Sequence, residues 1–315
     1  MGQFLSKHRN ISVINTHHTH GGVHILPGPS DKRGISEADK GAFDYLRELA
    51  KSSTGYEVSY FSDSIADAGY IGTSHGTFDL FGYMYLGCLT TTTEVWRGLA
   101  RVGLQDEKNW LRDFGKWARP ENLRLYHQYL SKHYPEVLKP WELMHHPQLG
   151  TVECGGWNMF LAFTNPPEPI MAEECGKVVA FNLGLQNLLP EIKILNHFIR
   201  NLEKDTHEVG IRVGNVGALS TSGMEMAKDK LWQKPIKASL TFESGEILSP
   251  IRLENSTSLR GACRHLGTWD ITPLSVVYAI NQSIIEFRWI VRGQGVIKAY
   301  VESQRAGHAT LSFEV

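Results

Sequence analysis

The sequence predicts an α/β fold over roughly the first two thirds of the chain and an all-β portion after it. Three observations predict this. Up to about residue 204, short β-branched or apolar runs alternate with segments of three- and four-residue apolar spacing. Beyond it the apolar residues alternate at period two, in runs separated by glycine turns. The composition, 42% hydrophobic and 21% charged over 315 residues, is that of an ordinary folded chain and excludes disorder, collagen-like repeats and a coiled-coil rod. The length suits two domains, and the change of period divides them into 1–204 and 205–315.

Ile11, Val13 and Ile14 form a short apolar strand that opens into the His-rich stretch 15–24, broken by Gly21 and Gly22. Ser36 caps a helix over 37–51, with Phe43, Leu46 and Leu49 on one side. Val58–Phe61 is a second strand; a Gly- and Ser-rich loop over 67–76 leads to a short helix near Phe78–Leu86. Cys88–Trp96 carries four consecutive threonines and is β-branched enough for a third strand. Its alternation sets Thr90, Thr92 and Glu94 on one face and Leu89, Thr91, Thr93 and Val95 on the other.

Residues 104–134 read as helical, most clearly where Leu123, Tyr126 and Leu130 recur. Pro135, Pro140 and Pro147 then punctuate a loop, and Gly155, Gly156 and Trp157, with Asn165, Pro166 and Pro167, form an architectural turn region. Helical spacing resumes over 178–204. Val209, Ile211 and Val213 open the period-two part, followed by Ile236–Phe242, Ile284–Val291, Val296–Val301 and Ala309–Val315.

Thirty-two basic against 33 acidic residues leave a net charge of −1, so no bulk positive field holds nucleic acid or an anionic membrane. Cys88, Cys154, Cys175 and Cys263 form no CxxC pair and read as reduced structural thiols. The N-terminus lacks a signal-peptide run, and no stretch approaches the ~20 apolar residues of a membrane span. The chain as given therefore reads as cytoplasmic; a secreted or periplasmic location follows if an upstream segment belongs to it. There is no GxxxxGK loop, GxGxxG fingerprint or HExxH helix motif.

The densest titratable cluster is His17, His18, His20 and His24, with His8 upstream. Imidazoles at the mouth of a strand are good zinc ligands; loop histidines paired with carboxylates are the alternative. Glu94, flanked by threonines, either faces a cavity where burial is expensive or lies on an exposed edge strand. Tyr70, in a Gly-rich loop, either swings toward a ligand as a donor or packs. Asp79 stabilises the start of its helix. Arg97 suits a salt bridge, and His145 with His146 suits polar loop packing.

In order along the chain, His18-Thr19-His20-Gly21-Gly22 followed by Val23–Pro27, then His75-Gly76-Thr77-Phe78-Asp79-Leu80 through Tyr83 and Gly87, then Thr92-Thr93-Glu94-Val95-Trp96, resemble the C-terminal part of an M14-family zinc carboxypeptidase of the multidomain bacterial type. Further likeness lies in His146–Trp157, in Asn165–Pro167, and in Trp289–Val296 of the β-rich tail. The resemblance implies a partial carboxypeptidase-like mixed sheet with helices, followed by a β-sandwich-like accessory domain over 205–315. It assigns His18 as a zinc ligand, Glu94 as the general base and Tyr70, whose register is off by about one, as a substrate-binding residue. Leu80 stands where the family has Trp. The implied activity is hydrolysis of peptides or amide-linked amino acids with bound zinc.

The family's HxxE ligand pair and its substrate-binding Arg and Asn belong upstream, and only 17 residues precede His18. A complete site therefore calls for a missing N-terminal half, an oligomer, or ligands drawn from His17, His20 or His24. The rival expectation is a non-catalytic binding or protein-interaction module on a degenerate peptidase scaffold.

Overall fold

The computed structural model describes residues 1–28, 35–60, 76–104, 119–227, 230–253, 258–259, 261 and 283–315. The chain opens with a short helix, α1 (Gly2–Lys7), and the strands β1 (Val13–Thr19) and β2 (Val23–Leu26). Helix α2 (Glu37–Thr54) begins as the sequence predicts: the Ser36 hydroxyl accepts from the Ala38 amide at 3.3 Å. It runs to Thr54, where Gly55 in the left-handed region ends it. Strand β3 (Glu57–Tyr60), helix α3 (Phe78–Met84) and strand β4 (Leu89–Val95) follow, each within a few residues of its expected position.

These four strands form one sheet in the order β1-β4-β2-β3. Strand β1 runs parallel to β4, β2 runs antiparallel to β4, and β3 is parallel to β2. The sheet is mixed because the chain turns back at Gly21 and Gly22 and lays β2 on the far side of β4. One face packs through Leu26 and Leu89 against Phe43 and Leu46 of α2, and against Phe181 and Leu185 of a later helix. On the opposite face Ile14 and Cys88, at the beginnings of β1 and β4, pack with Leu5 and Leu86.

Helix α4 (Pro120–His133) carries the predicted Tyr126 and Leu130 as buried residues. The proline-rich segment is a correction: it forms a hairpin of β5 (Leu138–His146) and β6 (Gly150–Trp157). Pro140 sits where the ladder is irregular, between Lys139 and Glu142, which is how a strand admits a residue with no amide hydrogen. Helix α5 (Glu168–Leu185) comes next. The helical spacing expected over 178–204 ends with it, and Ile192–Glu203 is strand β7.

Strand β7 pairs with β8 (Thr206–Asn215). Then come β9 (Lys237–Phe242), β10 (Gly245–Leu253), β11 (Ile284–Gly293), β12 (Val296–Ser303) and β13 (Gly307–Glu314). They make two antiparallel sheets, ordered β10-β11-β8-β7 and β13-β12-β9. Alternate residues of β8, β11 and β12, among them Val209, Ile211, Phe287, Val291, Ile297 and Val301, fill one buried core shared by both sheets. The molecule is thus a mixed α/β architecture of several sheets and helices. Among the described residues no helix is long and apolar enough to cross a membrane.

Candidate active site at the ends of β1 and β4

The parallel register of β1 and β4 sets His18 beside Glu94. Residues paired in register share a face, so the imidazole and the carboxylate project from the same side, near the C-terminal ends of adjacent strands. Immediately before them Thr16 and Thr92 meet hydroxyl to hydroxyl at 2.8 Å. His18 is exposed and Glu94 partly buried. Burial pushes the Glu94 carboxyl above the usual carboxylate range, and the neighbouring His18 acts in the opposite direction.

The turn after β1 clamps this end of β4. The Gly21 amide donates to the Trp96 carbonyl at 2.8 Å, and the Gly22 amide donates to the Glu94 carbonyl at 2.7 Å. Gly22 has φ +61°, and a Cβ on it would lie 2.6 Å from Cβ of Arg97, so only glycine fits the crossing. Trp96 adopts φ +74°, a conformation that costs a non-glycine residue on the order of 1 kcal/mol. Its ring is buried, and its amide donates to the Tyr56 hydroxyl at 3.2 Å.

The histidine cluster does not converge. His17, Thr93 and His24 occupy the next row of the sheet, facing the helices. Nε2 of His17 lies 3.1 Å from the Asn182 side-chain nitrogen on α5. His24 is fully buried between Thr54 and Thr93, 3.0 Å from each hydroxyl, with the Phe181 ring at 4.3 Å. Thr54 spends its own proton on the Ala50 carbonyl, so Nε2–H of His24 donates to Thr54, while Nδ1 faces the Thr93 hydroxyl, which also donates to Oδ1 of Asn15 at 2.9 Å. Burial, with His17 nearby, lowers the His24 pKa to about 3. His24 is a neutral core histidine, and neither it nor His17 supplements His18 from the opposite face. His20 lies in the turn with its ring 4.2 Å from that of Phe163.

Of the remaining candidates, Tyr70 lies outside the described residues. Arg97 takes the salt-bridge role, 3.7 Å from Glu57. His146 accepts from the Gln148 and Leu149 amides at 3.2 Å, holding the β5–β6 turn. Two spacings escaped the sequence reading. His133-Tyr134-Pro135-Glu136 has the HxxE pattern, but His133, the last residue of α4, and Glu136 after it are both exposed, and His133 packs on the Tyr129 ring at 5.1 Å. Gly72-Thr73-Ser74-His75-Gly76 has the GxSxG pattern, and Ser74 lies outside the described residues.

A zinc site takes three protein donors and an open position. His18 supplies one imidazole beside one carboxylate, and among the described residues no group of three or more His, Cys, Asp or Glu side chains is placed to hold a metal ion. The donor chemistry suits zinc; the donor count does not.

Beside this end of the sheet opens a cavity of about 680 Å³, walled by Gly22 and Trp96 at the crossing, Glu57 and Val58 of β3, and residues of α2 and α5. In its wall the buried Glu174 carboxylate accepts from the Tyr56 hydroxyl, from Arg101 at 2.7 Å and from Lys177 at 2.7 Å. Burial and this carboxylate push the Tyr56 phenol up.

Compared with known families, residues 191–314 match a domain of unknown function, DUF8731. The match runs from the residue before β7 to the end of β13. No curated protein matches the chain.

Proposed function

We propose that the ends of β1 and β4 form part of a zinc-dependent amidohydrolase site of the M14 carboxypeptidase kind, acting on peptides or amide-linked amino acids. The single observation that supports this is the in-register pairing of His18 with Glu94 on one face of the sheet. Glu94 serves as the base, accepting a proton from the attacking water and passing it to the leaving amine. Burial raises its pKa, the direction that strengthens a carboxylate as a proton acceptor. His18 would supply one imidazole ligand to zinc, and the others would have to come from outside the described residues or from a second subunit. Zinc, when bound there, would polarise the scissile carbonyl and acidify water. In this reading residues 1 to about 190 are a partial carboxypeptidase-like unit, and 191–314 a β-sandwich-like accessory unit.

Zinc titration with metal analysis tests the reading. Stoichiometric uptake that His18→Ala abolishes, together with turnover of a C-terminal peptide substrate that Glu94→Gln abolishes, is the expected result. A folded chain that takes up no zinc supports a non-catalytic binding module instead. Undiminished turnover by the Gln variant removes Glu94 from the reaction.

A further inference from the structure

We infer that the open side of β9 is a docking site for an extended, uncharged peptide, which joins the β13-β12-β9 sheet as one more strand and sets an apolar side chain into the groove alongside. The site lies in the region that matches the domain of unknown function and needs no hydrolytic chemistry. Strand β9 ends its sheet: among the described residues it is hydrogen-bonded to β12 and to no other strand. In an antiparallel ladder alternate residues turn their amide and carbonyl to opposite sides, so half of the six residues of β9 present these groups away from β12. Such an edge is a template for another strand.

A cavity of about 380 Å³ runs along the same strand, lined in succession by residues 235–239. Its walls come from both faces of the sheet. Lys237 and Ser239 pair with Glu302 and Tyr300, and all four are exposed on the outer face. Ala238 instead pairs with the buried Val301, and Ile236 and Phe287 belong to the core shared by the two sheets. Outer-face and core residues line one cavity here because it passes round the open side of β9. Ile236 and Phe287 thus give an apolar floor beside the outward backbone groups. The Tyr300 ring, stacked on His308 with 5.8 Å between centres, forms a fixed lip.

Size and charge select the occupant. One cation, Lys237, and one anion, Glu302, border the groove, a balance that offers no net field to a charged ligand. The volume suits one or two apolar side chains. Six residues of strand span about 20 Å, and a strip of that length buries on the order of 300 Å². A stable dimer needs about 800 Å² on each partner, so a single peptide strand fits this edge better than a second copy of the chain.

The test is fluorescence anisotropy with a labelled, C-terminally amidated octapeptide of alternating Thr and Leu. Two further forms are N-methylated, one at every Thr and the other at every Leu, which removes the amide hydrogens along one edge of the peptide and leaves the other edge intact. One methylated form is expected to bind about tenfold weaker or more, and the other to keep the parent affinity. Replacing Leu by Ser should weaken binding by a similar factor. Hydrogen exchange of the Lys237–Phe242 amides should slow when the parent peptide is bound. Tyr300→Ala should weaken binding several-fold at an unchanged unfolding midpoint; if it disturbs the fold, the peptide series on the unaltered chain still decides. No binding of the parent peptide, equal binding of both methylated forms and the parent, or exchange protection that falls elsewhere overturns the site. Protection of β9 that rises with protein concentration in the absence of peptide assigns the edge to a second copy and overturns it equally. Zinc uptake and turnover are separate measurements, so the hydrolase reading and the docking site can fail independently.

Discussion

Glu94 and His24 sit in adjacent rows of one sheet, and burial moves them in opposite directions with respect to pH. The folded pKa of Glu94 is raised, so the native state holds its proton more tightly than the unfolded chain. Its contribution is therefore complete below the unfolded carboxylate value and is lost as pH rises through the folded value. Glu94→Gln should leave the protein more stable than the parent at neutral pH, with the difference vanishing in acid. Urea midpoints at pH 4 and pH 7 check this, and a variant less stable than the parent at pH 7 refutes it. His24 behaves oppositely. With its pKa lowered from 6.5 to about 3, the unfolded chain gains a proton first, and stability drains away as pH falls below 6.5. The loss amounts to about 2 kcal/mol at pH 5. His24→Gln should start less stable, because a hydrogen-bonded ring is lost from the core, but should show a flatter dependence between pH 7 and pH 5. An equally steep dependence in the variant assigns the acid sensitivity to another group.

At the scale of elements, β1 ends the strand order of its sheet among the described residues, where it pairs with β4. Helix α5 lies beside it, with Asn182 bonded to Asn15 at 2.7 Å, and carries apolar residues all round. Val179 and Leu183, one turn apart, are 54% and 57% exposed. A terminal strand of the described sheet next to an exposed apolar helix face is a surface that associates. Light scattering is expected to show concentration-dependent association, and Val179→Lys/Leu183→Lys to suppress it with the fold intact. A monomer at every concentration contradicts the expectation. The elements building this region were legible because each depends on a local signal: the Ser36 cap, the Phe43–Leu46 stripe, and the threonine run with its alternation. The pairing of His18 with Glu94 was legible only as a resemblance, since register between strands some 70 residues apart leaves no mark on spacing. The hairpin at Leu138–Trp157 was hidden by prolines that read as loop. Strand β7 was hidden because Ile192, Leu195, Phe198 and Ile199 recur at helical intervals, and pairing with β8 overrides that spacing. The histidine cluster misled for a simpler reason: alternation along β1 sends His17 and His18 to opposite faces, and sequence density carries no face.

At the scale of the molecule, one buried arginine joins the region matched by the domain model to the first sheet. Arg305, in the turn between β12 and β13, donates to the carbonyls of Ile11 at 2.7 Å, Leu86 at 2.5 Å and Gly87 at 3.2 Å. Its guanidinium lies 5.5 Å from the Trp232 ring centre, and the Arg9 guanidinium lies 4.5 Å from the same ring. Burial pulls its pKa down, a sign that the charge has left water for these carbonyls. The three carbonyls come from the segments leading into β1 and β4, so Arg305 anchors the base of the two strands whose far ends carry His18 and Glu94. Two further bonds run alongside: Met224 donates to Gly87 at 2.9 Å, and the Glu225 amide donates to the Asp39 carboxylate at 2.8 Å. Arg305→Met fills similar space but takes a donor from three carbonyls, leaving Gly87 to the Met224 amide, Ile11 to the Cys88 thiol and Leu86 without its Arg305 bond, at a cost of about 2 kcal/mol or more. Since the weakened contact lies between the β12–β13 turn and the base of the first sheet, the loss should fall on their coupling. Calorimetry is expected to replace one transition with two, the earlier lowered by about 6 °C or more, while the packing of β7–β13 survives in the later one. A single transition at the parent temperature shows that the remaining bonds suffice, and removes Arg305 as the joint.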